Sequence, residues 1–238
     1  MSEQIKLGDL TIFMQRKRVK HIYLRVLAPD GRVTLVAPIG IQLVVIHAFA
    51  VSKLSWIQKQ QTKLQSQVRE APRQLVEHES HTVWGHHYVL QVVEKQAKPC
   101  VLLNQQSIIL QVRPGSDLSR RAAVMHAWYK SLLHGVVPGL IEQWQDRLGV
   151  SVSAYFLQRM KTRWGSCNPR TRHIRLNTDL VTRPKDLLEY IVVHEMVHLL
   201  EASHNKRFVA LMDQYYPAWR EATAELNQLP LAAVRPRG

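Results

Sequence analysis

The sequence predicts an α+β protein in which a β-rich front region, residues 1–114, precedes a mainly helical region, residues 115–238. Three observations carry this. Before residue 114, apart from one helical stretch over 42–66, the apolar residues alternate with period two around turn residues, as strands require. After Pro114-Gly-Ser-Asp117 they recur every three to four positions, as on a helix. The third is the stretch Tyr190–Leu200, an apolar helical run that carries His194-Glu195-Met196-Val197-His198. With 238 residues, 46% of them hydrophobic, the chain can bury a substantial core.

In the front region, His21–Leu27 alternates faces, Pro29-Asp30-Gly31 is a turn, and Arg32–Ala37 answers it, which predicts a hairpin ended by Pro38. Residues 42–66 place Leu43, Ile46, Ala50, Leu54 and Ile57 at helical spacing and predict one amphipathic helix. His81–Val93 and Val101–Val112 read as paired strands, the second with a turn at Asn104-Gln-Gln106. His78, His81, His86 and His87 lack a carboxylate or cysteine at ligand spacing, so they are read as surface turn histidines, not as a second metal site.

Past Asp117, two helices over 117–134 and 138–148, or one helix kinked at Gly135 and Pro138, are expected, with Trp128, Leu132 and Trp144 as core candidates. Ser151–Tyr155 and Gln158–Arg163 read as extended, Gly165–Arg172 as a turn, and Ile174–Asn177 as a short strand. Pro184 suits a helix start and Asp186 a first turn, so the histidine-bearing helix is expected from 184 to about 201. Phe208, Leu211, Met212 and Tyr215 form the apolar stripe of the next helix, and Pro217 separates it from a last one through Trp219 and Leu226. The tail from Pro230 is expected to fray, and no internal repeat is visible.

The chemistry lies in the helix. Histidines four residues apart stack on one face and can share a metal ion, and the intervening Glu195 lies beside them as a general base. Three polar side chains in an apolar helix need partners to offset desolvation, and a metal is one. His204 follows His194 by ten residues, the spacing of H-E-x-x-H-x-x-G-x-x-H, although Glu201 stands at the glycine position. The third ligand is therefore His204 or a carboxylate from a following helix, Glu221 or Glu225. The expected cofactor is one Zn²⁺ per chain, bound by His194, His198 and His204. The order strand, turn, strand, metal helix suggests a zincin-like arrangement. In it, Ile174, Arg175 and Asn177 belong to a strand whose free edge pairs with an extended peptide. Arg163, Arg175, Asn177 and Tyr216 are candidates for stabilising an oxyanion or orienting ligands.

Beyond the helix, the blocks Lys161-Thr-Arg-Trp-Gly-Ser-Cys167, Ile174–Asn177, Ser203–Phe208 and Tyr216-Pro217 resemble the YgjP-like metallopeptidase family. Lys53–Ile57 and Trp84–Tyr88 extend the resemblance over most of the chain. It implies a zinc-dependent peptidase, related to SprT-like proteins, with His194, His198 and His204 as ligands.

Net charge is +14, and residues 159–175 hold six Lys or Arg and no acid. A basic wall there, with Arg170 and Arg172 as phosphate contacts, fits nucleic acid as well as it fits a plain solvated face. Cys100 and Cys167 make no disulfide framework, Cys167 being read as a packed small residue, and the N-terminus has no signal pattern. A cytoplasmic protein without a membrane partner is expected. Three readings remain: a zinc peptidase acting on a peptide or protein, a zinc hydrolase of another bond, or a nucleic-acid-binding protein with a structural zinc.

Overall fold

The computed structural model describes residues 3–27, 30–66, 73–160 and 163–228. Pro29 of the expected turn, Lys161 and Thr162 of the basic segment, and the tail from Pro230 lie outside these residues. The chain divides into two compact units between Arg69 and Glu70, not at residue 114. Burial explains the difference. Leu90, Ile108, Leu110 and Val112 from the second group of strands share one core with Met125, Ile141, Val192 and Met196 from the helices, so a change of composition at 114 falls inside a single core.

The first unit contains β1 (Glu3–Leu7), β2 (Leu10–Lys17), β3 (Tyr23–Leu27) and β4 (Arg32–Pro38), in the spatial order β1-β2-β4-β3. β3 and β4 are the expected hairpin, while β2 runs parallel to β4 with Ile12 opposite Val33. Alternation turns Ile12, Met14, Val33, Leu35 and Ala37 to one face, all fully buried. Two helices, α1 (Leu43–Ser52) and α2 (Leu54–Ser66), replace the single helix expected over 42–66. The break follows from Ser52, whose hydroxyl donates to the Phe49 carbonyl, and from Lys53, whose N–H bonds Ala50 in a tighter turn. Ile46, Ala50 and Ile57 complete this unit's core.

The second unit opens with β5 (Ser80–Val83), β6 (His86–Glu94), β7 (Cys100–Leu103) and β8 (Ser107–Val112), in the order β5-β6-β8-β7. The continuous strand expected over 81–93 is in fact a hairpin. Trp84 and Gly85 both have positive φ, 51° and 81°, and Trp84 is held there by its N–H to the Val181 carbonyl at 2.8 Å. β5/β6 and β7/β8 are antiparallel and β6/β8 parallel, the same directions as β1/β2, β3/β4 and β2/β4. The fold thus repeats a topology that the sequence reading missed.

α3 (Leu118–His134) and α4 (Val137–Leu148) fall where the periodicity puts them. Asp117 caps α3 by accepting from the Arg120 N–H at 2.8 Å, and Gly149, at φ +65°, ends α4. A three-stranded sheet follows: β9 (Ala154–Gln158), β10 (Gly165–Asn168) and β11 (His173–Asn177), ordered β10-β11-β9. β10 occupies what reads in sequence as turn. A 3₁₀ turn (Thr178–Thr182) leads into α5 (Lys185–Val197), and α6 (Lys206–Tyr215) and α7 (Trp219–Gln228) close the described chain. No helix among the described residues is long and apolar enough to cross a membrane.

Candidate metal centre

α5 is buried along most of its length, with Leu187, Leu188, Ile191, Val192, Val193, Met196 and Val197 in the core. Regular helix ends at Val197, short of the expected 201, because the N–H groups of Leu199 and Leu200 bond three residues back and tighten the last turn. His198 keeps helical dihedrals, φ −63° and ψ −15°, so it still lies one turn beyond His194.

Glu201, at the glycine position of the longer motif, builds the exit turn. Its carboxylate accepts from the Ser203 N–H at 3.2 Å and the Ser203 hydroxyl at 2.9 Å. Its carbonyl stands 3.0 Å from His198 Nδ1. An imidazole that donates through Nδ1 has an unprotonated Nε2, the form that binds a metal. Asn205 then starts α6, accepting from the N–H groups of Arg207 and Phe208 at 2.9 and 3.0 Å.

This turn returns His204 to α5. Its Nε2 lies 3.1 Å from His194 Nε2, and the ligand atoms of His194, His198 and His204 all lie within 4.8 Å of one another. Tetrahedral zinc with bonds near 2.0–2.1 Å needs its nitrogens roughly 3.4 Å apart. The three imidazoles therefore fit such an ion. Glu221 and Glu225 are exposed on α7 and outside this group. Phe208, read from sequence only as part of a core stripe, touches all three rings with centroid distances of 5.0, 4.7 and 4.7 Å. Its helical spacing showed that it was buried; nothing in the sequence showed against what.

Burial, then the neighbouring His198 and His204, hold His194 down at about 4, so its imidazole is neutral, the form that metal binding requires. Burial pushes Glu195 up to about 8, with Arg163 pulling the other way. Nδ1 of His194, the nitrogen turned away from the other two imidazoles, is buried without a hydrogen-bond partner.

β10 supplies the residue facing Glu195. A Cβ on Gly165 would stand 2.7 Å from Glu195 Cγ and 2.8 Å from its Cδ, so only glycine fits. Cys167 shares this face of β10, and burial, followed by the Glu195 charge, pushes its thiol up to about 12. It is a partly buried thiol packed against the core.

The expected substrate strand needs correction. β11 is central, with β10 on one side and β9 on the other, so it has no free edge. Ile174 and Asn177 are fully buried. Asn177 instead ties down the segment leading to β10: Nδ2 donates to the carbonyls of Met160 and Arg163 at 2.8 and 2.9 Å. Arg175 alternates to the face opposite Gly165 and lies over the Phe156 ring at 5.4 Å. The Tyr216 hydroxyl donates to the Asp186 carbonyl at 3.1 Å. Among the helper candidates, Arg163 is the one whose charge acts on Glu195.

Arg170 is exposed in the β10–β11 turn, and Arg172 there donates to the Ser151 hydroxyl at 2.7 Å. Arg172 therefore serves the fold, and the nucleic-acid expectation for this pair gains no support. His81 is not a surface histidine: it is 1% exposed, and its Nδ1 accepts from Arg73 at 3.0 Å. The Tyr129 hydroxyl lies 3.2 Å from the same nitrogen.

Solved structures similar in part of the chain include the metallopeptidase zymogen abylysin from Pyrococcus abyssi, 19% identical over 40% of this chain and 100% of its own, with a TM-score of 0.36. Another is the metallopeptidase zymogen jannalysin from Methanocaldococcus jannaschii, 23% identical over 39% of this chain and 94% of its own, with a TM-score of 0.34. No curated protein matches the chain. The family described as YgjP-like, metallopeptidase domain, matches residues 20–229, and the chain belongs to that YgjP-like metallopeptidase family.

Proposed function

We propose that this protein is a zinc-dependent peptidase in which His194, His198 and His204 hold one Zn²⁺ and Glu195 is the acid–base residue. The observation that carries the reading is the convergence of three imidazole ligand atoms within 4.8 Å beside a buried carboxylate. Three protein ligands leave a tetrahedral ion one position for water or substrate, whereas a structural site is closed by four. Bound there, the ion would polarise a substrate carbonyl and acidify water.

The chain's own residues do the rest. Glu195 takes a proton from the attacking water and delivers it to the departing amine nitrogen. Burial alone favours its neutral form, and a dication beside it would favour the carboxylate that a base requires. Gly165 lets the strand backbone lie against that carboxylate. β10 is an edge strand, so an extended peptide pairing with Gly165–Asn168 would bring its carbonyl close to Glu195. That edge takes the role first expected of β11. Arg163 supplies a positive charge near the developing oxyanion.

The test compares hydrolysis of a mixture of unfolded proteins by wild type and Glu195→Gln at equal zinc content. Loss of hydrolysis in the variant supports the reading; equal hydrolysis rejects it. Zinc retained by His204→Ala but lost by Glu221→Ala or Glu225→Ala would overturn the ligand assignment.

A further inference from the structure

The first unit has chemistry of its own. Within the first 69 residues, eleven Lys and Arg stand against three acids, so eight of the chain's fourteen excess positive charges fall in under a third of its length. The sheet sorts them by face. Because Ile12, Met14, Val33 and Leu35 point into the core with α1 and α2, alternation turns Phe13, Lys17 and Arg32 to the opposite face. The register adds the rest: Lys6 pairs with Thr11, Arg25 with Thr34 and Tyr23 with Val36.

No acid lies on this face among the described residues. Glu3 alternates to the core side and pairs with Arg16 at 3.4 Å, while Asp9 and Asp30 sit in end turns. Two aromatic rings stand among the cations. Tyr23 is 46% exposed, and Phe13 is partly exposed with the Arg32 guanidinium over its ring, 5.3 Å from the ring centre. Phe13 and Tyr23 are two strands and one row apart, roughly 12 Å at ordinary strand spacings, which suits two separate bases of one strand.

We propose that this face binds single-stranded nucleic acid, with phosphates against Lys6, Lys17, Arg25 and Arg32 and bases stacked on Phe13 and Tyr23. Cations that track a backbone, combined with aromatic platforms, recognise unpaired strands because every base has a π-face and a single strand exposes it. A duplex hides those faces inside its stack. An acidic protein segment would answer the charge but leave the aromatics idle. RNA and DNA should bind alike, since the contacts are to phosphate and base. The proposal stands independently of the peptidase reading.

The experiment titrates the full-length, zinc-loaded protein against fluorescent single strands of RNA and DNA of about 20 nucleotides, at salt from about 50 to 200 mM. The matching duplex, phosphatidylglycerol vesicles and polyglutamate are run beside them. Both single strands should bind with a log–log salt slope of up to about 3, from four phosphate contacts. Tyr23→Ala should weaken binding about 5- to 100-fold at nearly unchanged slope, and Tyr23→Phe should restore it. Lys6→Ala with Arg25→Ala should weaken it at least about tenfold and lower the slope by about 1.4. These side chains are exposed, so melting curves should match wild type. Arg170→Ala with Arg172→Ala should leave binding intact. Absence of binding at the lowest salt, equal affinity for duplex, vesicles or polyglutamate, or unchanged affinity in the sheet variants would overturn the proposal. Loss of binding only in the Arg170 and Arg172 variant would overturn it too.

Discussion

The two four-stranded sheets share strand order and pairing directions, yet only the second is packed into a core with the candidate metal helix. The turn between the first two strands shows the difference. In the first unit it contains Gly8, at φ +60°, where an added Cβ would meet nothing within 4 Å. In the second it is Trp84-Gly85, where a Cβ on Gly85 would stand 3.0 Å from the ring of Pro184, the residue that begins α5. Lys185, the next residue, places its ammonium 5.5 Å from the Trp84 ring. One turn is free, and the other braces the start of the candidate metal helix.

The helices repeat the lesson. α1 and α5 are both strongly apolar, but α1 buries only Ile46 and Ala50 and leaves Val44 76% exposed, while α5 is embedded on most sides. Apolar composition does not distinguish a helix on a small sheet from one at the centre of a core. Topology supplies the scaffold, and the contacts of its turns and edges decide what it supports.

The largest effect that separates the units is catalytic. Glu195→Gln should lower hydrolysis ~10²-fold or more with zinc content and melting temperature retained, whereas Glu3→Gln in the first unit should not change it. Full activity in Glu195→Gln would break the contrast. Metal content comes next. His194→Ala, His198→Ala and His204→Ala should each weaken zinc binding by at least about 100-fold, while His47→Ala, on the other apolar helix, should keep one zinc per chain by metal analysis.

A third test uses pH. His81 occupies on β5, opposite Tyr88, the place that Ile5 holds on β1 opposite Ile12. Burial, then Arg73, lower His81 from 6.5 to about 4, so the folded protein holds it neutral. Its contribution is complete above pH 6.5 and is lost as pH falls towards 4, where the unfolded chain binds the extra proton. The total is about 3 kcal/mol. Denaturant unfolding of wild type and His81→Gln across that range should show a steeper loss of stability in wild type, by about one proton, on top of the slope that His194 gives to both.

The smallest contrast lies in the two turns. Gly8→Ala should cost about 1 kcal/mol for its positive φ alone, and Gly85→Ala roughly 2–3 kcal/mol, since Pro184 must also move. Equal costs in urea unfolding would mean that the second turn does not brace α5.

The sequence by itself determined whatever depends on neighbours along the chain. His194, Glu195 and His198 are legible because a helix brings positions four apart together wherever it lies, and Asp117 marks a helix start by local hydrogen bonding. His204 was legible as a spacing, but the turn built by Glu201 and Ser203 that delivers it was not. Only the tertiary structure decided which strand is an edge, which glycine faces the carboxylate, and where one core ends. Gly165 reads in sequence as a turn residue. Its role follows from β10 pairing with β11 and packing on α5, contacts that join residues ten to thirty positions apart. The repeated sheet was hidden for the same reason, since strand order depends on pairing between distant segments, and a period-two pattern specifies a face without naming the partner.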